Sequence, residues 1–171
     1  MSEKLSLSYN ERRFLQAYHY FLGLTYEVGD VVDMHLAQNM VSFLQHIGWM
    51  HTDFEFMMAG EHGMYSPGFH AFLLKLNKKV DEVSLYQSSE TYFSELSLSD
   101  WKVLGEYSEM YLLEQYQDDL LVWIETLALV TYIKHVVLGG AYFPLDVVCD
   151  RVWQEDGMIP KTFVRDAYNV V

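Results

Sequence analysis

The stretch from Leu120 to Leu138, LLVWIETLALVTYIKHVVL, constrains the chain more than any other part of it. It is apolar nearly all round at helical spacing, so a helix there has no solvent face and must sit at the centre of a fold. Its length approaches the ~20 residues of a membrane span. It holds Glu125, Lys134 and His135, however, and a bilayer core tolerates such side chains poorly. The expectation is a buried core helix and no membrane partner. Other helices must then cover it, and 171 residues, within the range of one domain, are enough to supply them.

Amphipathic segments suited to that task flank it on both sides. Ser8-Tyr9-Asn10-Glu11 has the spacing of a capping box, and Phe14, Leu15, Tyr18, Phe21 and Leu22 share one helical face before Gly23. This predicts a helix from Tyr9 to Leu22. Leu36, Met40, Phe43, Leu44 and Ile47 predict a second, from Val31 to Ile47, stopped by Gly48. Trp49 to Met58 alternates enough for a short strand, and residues 59–63 read as a turn. Ser66-Pro67 has the form of an N-cap followed by proline at the first helical position, opening a helix whose stripe runs through Phe69, Phe72, Leu73, Leu76 and Val80. The pattern weakens from Asp81 to Ser97, which reads as a loop with at most a short extended piece. Ser99 or Asp100 is placed to cap a helix from Trp101 to Tyr116, and Leu145–Trp153 and Pro160–Val170 read as a terminal pair. The expected fold is mainly α: a single-domain bundle of about six to seven helices with at most a small β element.

The apolar share of 51% and aromatic share of 16% exclude a disordered chain. The 13 Tyr and 4 Trp suit a rich core or a contact surface, and homodimerisation is consistent with them. Net charge is −13, which repels nucleic acid and anionic lipid. Between Asp81 and Asp119 ten acids face Lys102 alone, so this stretch carries −9 of the −13. Such a run serves as a solvated face or as a docking surface for a basic protein partner. Glu106, Glu109 and Glu114 are the candidate contact residues, with Tyr65 near them. The lone Cys149 allows no internal disulfide, and the first six residues lack a basic region followed by an apolar run. Both features fit a cytoplasmic protein without a signal peptide.

No set of residues spells out a catalytic site, so neither enzyme nor cofactor is expected. Five of the seven histidines lie between positions 35 and 70: His35, His46, His51, His62 and His70. They raise the alternative of a metal-dependent hydrolase. Ligands on one helix stand three or four residues apart, and there is no His-Glu-x-x-His and no cysteine pair, so no metal is expected. Cys149 on an apolar face reads as a small core residue. A glycine-flanked serine elbow is absent, and Leu138-Gly139-Gly140-Ala141 lacks the Lys-Ser/Thr of a phosphate loop. The terminal helix pair has a helix-turn-helix outline, with Lys161 and Arg165 on its second helix. This is the alternative of a DNA-binding regulator, against which the overall charge argues.

One pairing of segments goes further. Leu36-Ala37-Gln38-Asn39-Met40-Val41-Ser42-Phe43-Leu44, followed after an extended piece by His62-Gly63-Met64-Tyr65-Ser66-Pro67-Gly68-Phe69-His70, resembles the YwgA-like and Panacea (SocA antitoxin-like) group of small bacterial and phage proteins. That group joins a Leu-Gln-Lys-Leu helix to a Gly-Pro-Tyr-Ser turn and a further helix. The apolar helix and the segment ending in Phe163, Val164 and Ala167 extend the likeness to about half the chain. Met64 stands where the group has proline, and Asn39 where it has lysine. The resemblance implies a mostly helical domain that works by protein–protein contact, as an antitoxin, an adaptor or a phage-associated factor. Read on its own, the turn fixes the angle between two helices, with Gly63 supplying a backbone conformation closed to other residues.

Overall fold

The computed structural model describes residues 7–90, 92 and 97–171. Among them are eight α-helices: α1 (Tyr9–Leu22), α2 (Val31–His46), α3 (Pro67–Asn77), α4 (Val80–Gln87), α5 (Leu98–Tyr111), α6 (Leu120–Tyr132), α7 (Leu145–Glu155) and α8 (Lys161–Val170). A two-stranded antiparallel ribbon pairs β1 (Met57–Met58) with β2 (Met64–Tyr65), Met57 opposite Tyr65 and Met58 opposite Met64. The fold is mainly α, with one helix more than the expected six to seven.

Helix α6 is the hub. Every residue from Trp123 to Thr131 is buried, and the helix packs most extensively on α2 and then on α8, with α7 and β2 also against it. Its two threonines satisfy their hydroxyls within the helix, Thr126 donating to the Val122 carbonyl and Thr131 to that of Leu127, both at 2.7 Å. Glu114–Val137 has the length and composition to cross a membrane, but more than half of its most apolar stretch is buried inside the fold. The helix widens into a π turn at Ile133–Val137. There Lys134 leaves the core: its Nζ donates to the Val171 carbonyl at 2.7 Å and lies 4.7 Å above the Tyr168 ring.

Helix α1 has the predicted bounds. Ser8 and Glu11 form the capping box, with the Ser8 N–H donating to Glu11 Oε2 at 2.7 Å, and Gly23 closes the helix in the left-handed region at φ 71°. The abundant aromatics go largely to the core. Phe14 meets Tyr26, Phe69 and Phe72 edge-on at 5.2–5.8 Å. Buried Tyr18 donates its hydroxyl to Asp33 Oδ1 at 2.6 Å.

Four expectations are corrected. The α3 pattern was expected to run on to Val80, but the helix stops at Asn77 and Val80 opens α4. Much of the loop expected from Asp81 to Ser97 is α4, which buries Val83 and Tyr86; residues 91 and 93–96 lie outside the described residues. Helix α5 is capped by Ser97, whose Oγ accepts from the Asp100 N–H at 3.2 Å, rather than by Ser99 or Asp100. It ends at Tyr111, and Glu114–Asp119 follows as a 3-10 helix.

Candidate functional site

The two segments singled out in the sequence are bonded to one another. The Gln38 side chain pairs with the backbone of Ser66: its Nε2 donates to the Ser66 carbonyl at 3.2 Å, and the Ser66 N–H donates to Oε1 at 2.9 Å. Asn39, one residue on, spans three points. Its Nδ2 donates to the carbonyls of His35 (3.0 Å) and His62 (3.2 Å), and its Oδ1 accepts from the Met64 N–H at 2.8 Å. Gly63 permits this closeness. It stands at φ 71°, ψ −121°, and a Cβ there would lie 2.4 Å from Asn39 Oδ1. Ser66 then caps α3, its Oγ accepting from the Phe69 N–H at 3.2 Å. The turn is held rigidly on α2 through amides that are themselves buried.

Beside this turn lies a hollow of about 350 Å³, lined by Met34, His35, His62, Met64, Tyr65 and His70 among others. Exposed Val31 also lines it. The His35 and His62 rings stand 5.1 Å apart with their planes at 43°, and Tyr65 packs on His70 at 5.7 Å. Burial, and then the neighbouring His62, hold His35 below the ordinary histidine value. The other two histidines of the group lie elsewhere. His46 places Nδ1 2.7 Å from the Ser42 carbonyl and packs edge-on against Tyr132. His51 lines a separate aromatic hollow of about 500 Å³ beside Trp49, Phe54 and Phe72. In that hollow Arg13 lies 4.8 Å above the Trp49 ring and pairs with Asp100 at 3.3 Å.

Glu106, Glu109 and Glu114 are all exposed. Glu106 and Glu109, three apart on α5, share a face. Glu109 lines a third hollow, of about 530 Å³, between the end of α1 and the end of α5. Leu22, Leu24, Leu112 and Leu120 make its apolar lining. Both helices point their C-termini at it, and the last-turn carbonyls of a helix carry partial negative charge. Ser108 ties the two ends together, its Oγ donating to the Phe21 carbonyl at 2.8 Å. Exposed Glu114, Asp118 and Asp119 follow along the adjoining 3-10 helix. Among the described residues no cation pairs with Glu109, Glu114, Asp118 or Asp119, and Glu106 has only Lys102 at 4.0 Å. Tyr65 and Glu109 therefore line different hollows.

The remaining candidates are engaged structurally. Cys149 is buried at the α7–α8 contact; burial, then Asp146 and Asp150, push its thiol above the usual range, the reverse of what a nucleophile needs. Lys161 lies 4.5 Å over the Trp153 ring, and Arg165 pairs with Asp166 at 3.0 Å. The two cations of the terminal helix pair thus have partners within the fold. Among the described residues, no three histidine, cysteine or carboxylate side chains converge as a metal-ligand group would.

Glu125 was legible in the sequence only as an argument against a membrane span. It is buried on α6 beneath Gly63, whose added Cβ would lie 3.1 Å from its Cγ. Burial pushes its carboxyl up to about 7, with the charge of buried Asp156 adding to the effect. An acid inside an otherwise apolar helix was the available signal; nothing in the sequence indicated that Asp156 would face it. No protein-family model, no curated protein and no solved structure matches the chain.

Proposed function

We propose that the chain is a non-enzymatic protein-binding module that takes a basic amphipathic segment of a partner protein into the leucine-lined hollow between the ends of α1 and α5. The observation that carries this reading is a coincidence of features at one place. Four leucines line a concavity, Glu109 stands on its rim, two helix C-termini face it, and exposed acids continue along the adjoining 3-10 helix. An apolar anchor from the partner fills the hollow, and flanking lysine or arginine side chains meet the acids. Interface affinity is concentrated in such desolvated anchors, while rim charges set partner choice and association rate. The net charge of −13 draws basic partners from a distance. The likeness to antitoxin and adaptor proteins agrees with a binding role, and a lone buried thiol agrees with a reducing, cytoplasmic setting.

The test is affinity capture with the full chain and a Glu109→Lys/Glu114→Lys variant, at low and high salt. The expected result is a partner set held by the parent chain at low salt and lost both at high salt and on charge reversal. Capture of the same proteins by parent and variant, or of none at either salt, overturns the reading.

A further inference from the structure

We propose that His35 and His62 form a two-histidine site for a divalent late first-row transition-metal ion, of the kind imidazole binds best: zinc, nickel or copper. The site lies in a different hollow from the acidic groove and does not depend on it.

The geometry between the rings is the first support. A ligating imidazole nitrogen sits ~2.0–2.1 Å from such an ion, and the ring centre about 1.1 Å beyond that nitrogen, so two imidazoles sharing a tetrahedral ion have centres about 5 Å apart. The His35 and His62 rings are 5.1 Å apart. The second support is the means by which the pair is held. His35 comes from the first turns of α2 and His62 from a 3-10 turn, Gly60–His62, before β2, yet a single buried group, Asn39 Nδ2, donates to the backbone carbonyls of both. Asn39 Oδ1 fixes the next residue but one, Met64, and Gly63 is wedged against the same amide. The backbones that carry the two rings are thereby fixed relative to one another, which lowers the cost of bringing both imidazoles to one ion.

The chemistry of the lining selects the class of ion. His35, His62 and His70 line the hollow with Tyr65, Met34 and Met64, and among the described residues no carboxylate lines it. Calcium and magnesium ask for oxygen ligands, whereas neutral imidazole suits zinc, nickel and copper. No third ligand converges with the pair among the described residues, so water or a donor from outside completes the coordination. The ion would join α2 to the turn directly beside Tyr65.

The experiment uses the full chain, free of any histidine tag and stripped of metal, titrated calorimetrically with zinc chloride and with copper(II) chloride. One equivalent should bind. His35→Gln and His62→Gln should each weaken binding by about tenfold or more, the double variant should abolish it, and His51→Gln, in the aromatic hollow, should leave it unchanged. Copper(II) bound to the parent chain should give an electron paramagnetic resonance spectrum split by two imidazole nitrogens, a readout that needs no variant to fold. Failure of both ions to bind, binding that survives in the double variant, or a copper spectrum without two-nitrogen coupling overturns the proposal.

Discussion

Gln38 and Ser66 pair as neighbouring strands do, one side-chain amide giving and receiving a hydrogen bond with the backbone of a residue 28 positions later. Through this contact the turn before α3 is held to α2. Gln38→Ala would leave the N–H of buried Ser66 without its partner, while the Ser66 carbonyl keeps the His70 N–H at 2.9 Å. An unsatisfied buried group costs ~1–3 kcal/mol, so a loss of about 2 kcal/mol is expected. Urea unfolding of parent and variant, monitored by circular dichroism, measures it.

Gly63 and Gly23 separate steric from backbone effects. Both have φ 71°, but an added Cβ at Gly23 meets nothing within 4 Å, whereas at Gly63 it meets Asn39 Oδ1 at 2.4 Å. Gly23→Ala should cost about 1 kcal/mol, the left-handed penalty alone. Gly63→Ala should cost well above that, about 3 kcal/mol or more, because the clash falls on a bonded buried amide and the backbone sits in a rarer region. Comparable losses at the two positions would contradict the described turn.

Glu125 gives the fold a pH dependence with a definite sign. Its carboxyl stands near 7 in the fold against 4.5 for the unperturbed group, so the folded chain holds this proton more firmly than the unfolded chain does. The contribution to stability is fully present below the unfolded value and is lost as pH rises through about 7. The whole effect amounts to about 3 kcal/mol. Glu125→Gln should flatten the profile and leave the variant more stable than the parent at pH 8. Denaturant midpoints at pH 5 and pH 8 decide it.

Charge reversal on the acidic rim should act on association and spare the fold. Glu109 and Glu114 are exposed and unpaired among the described residues, so Glu109→Lys and Glu114→Lys should change stability by no more than about 0.5 kcal/mol. The association rate with a basic partner should fall, and its salt dependence should shrink. Surface plasmon resonance over a salt series gives both quantities, with thermal unfolding as the control.

Local rules made much of the fold legible. The capping box at Ser8, the stop at Gly23 and the Ser66-Pro67 start each place a helix end to the residue, because caps act over three or four positions. Helix α4 escaped because only Val83 and Tyr86 of its eight residues are buried, too few to set a period. The end of α5 escaped because Leu112 and Leu113 continue an apolar pattern through a change of backbone direction at Leu112, where ψ is 81°. The acidic residues of the candidate site were legible as charge. The leucine hollow beside them was not, since Leu22 and Leu24 reach Leu112 and Leu120 only through the packing of α1 on α5. The histidines were legible as a count. That His35 and His62 would meet, and His46 and His51 would not, depends on Asn39 drawing a distant turn onto α2.

The fit of Gly63 against Asn39 also bears on descent. A lineage that acquires a side chain at position 63 has to lose bulk at position 39, and with it the amide that holds three backbone groups in place. Neither change is tolerated well alone, so the two sites should be inherited as a unit, with substitutions appearing together or not at all.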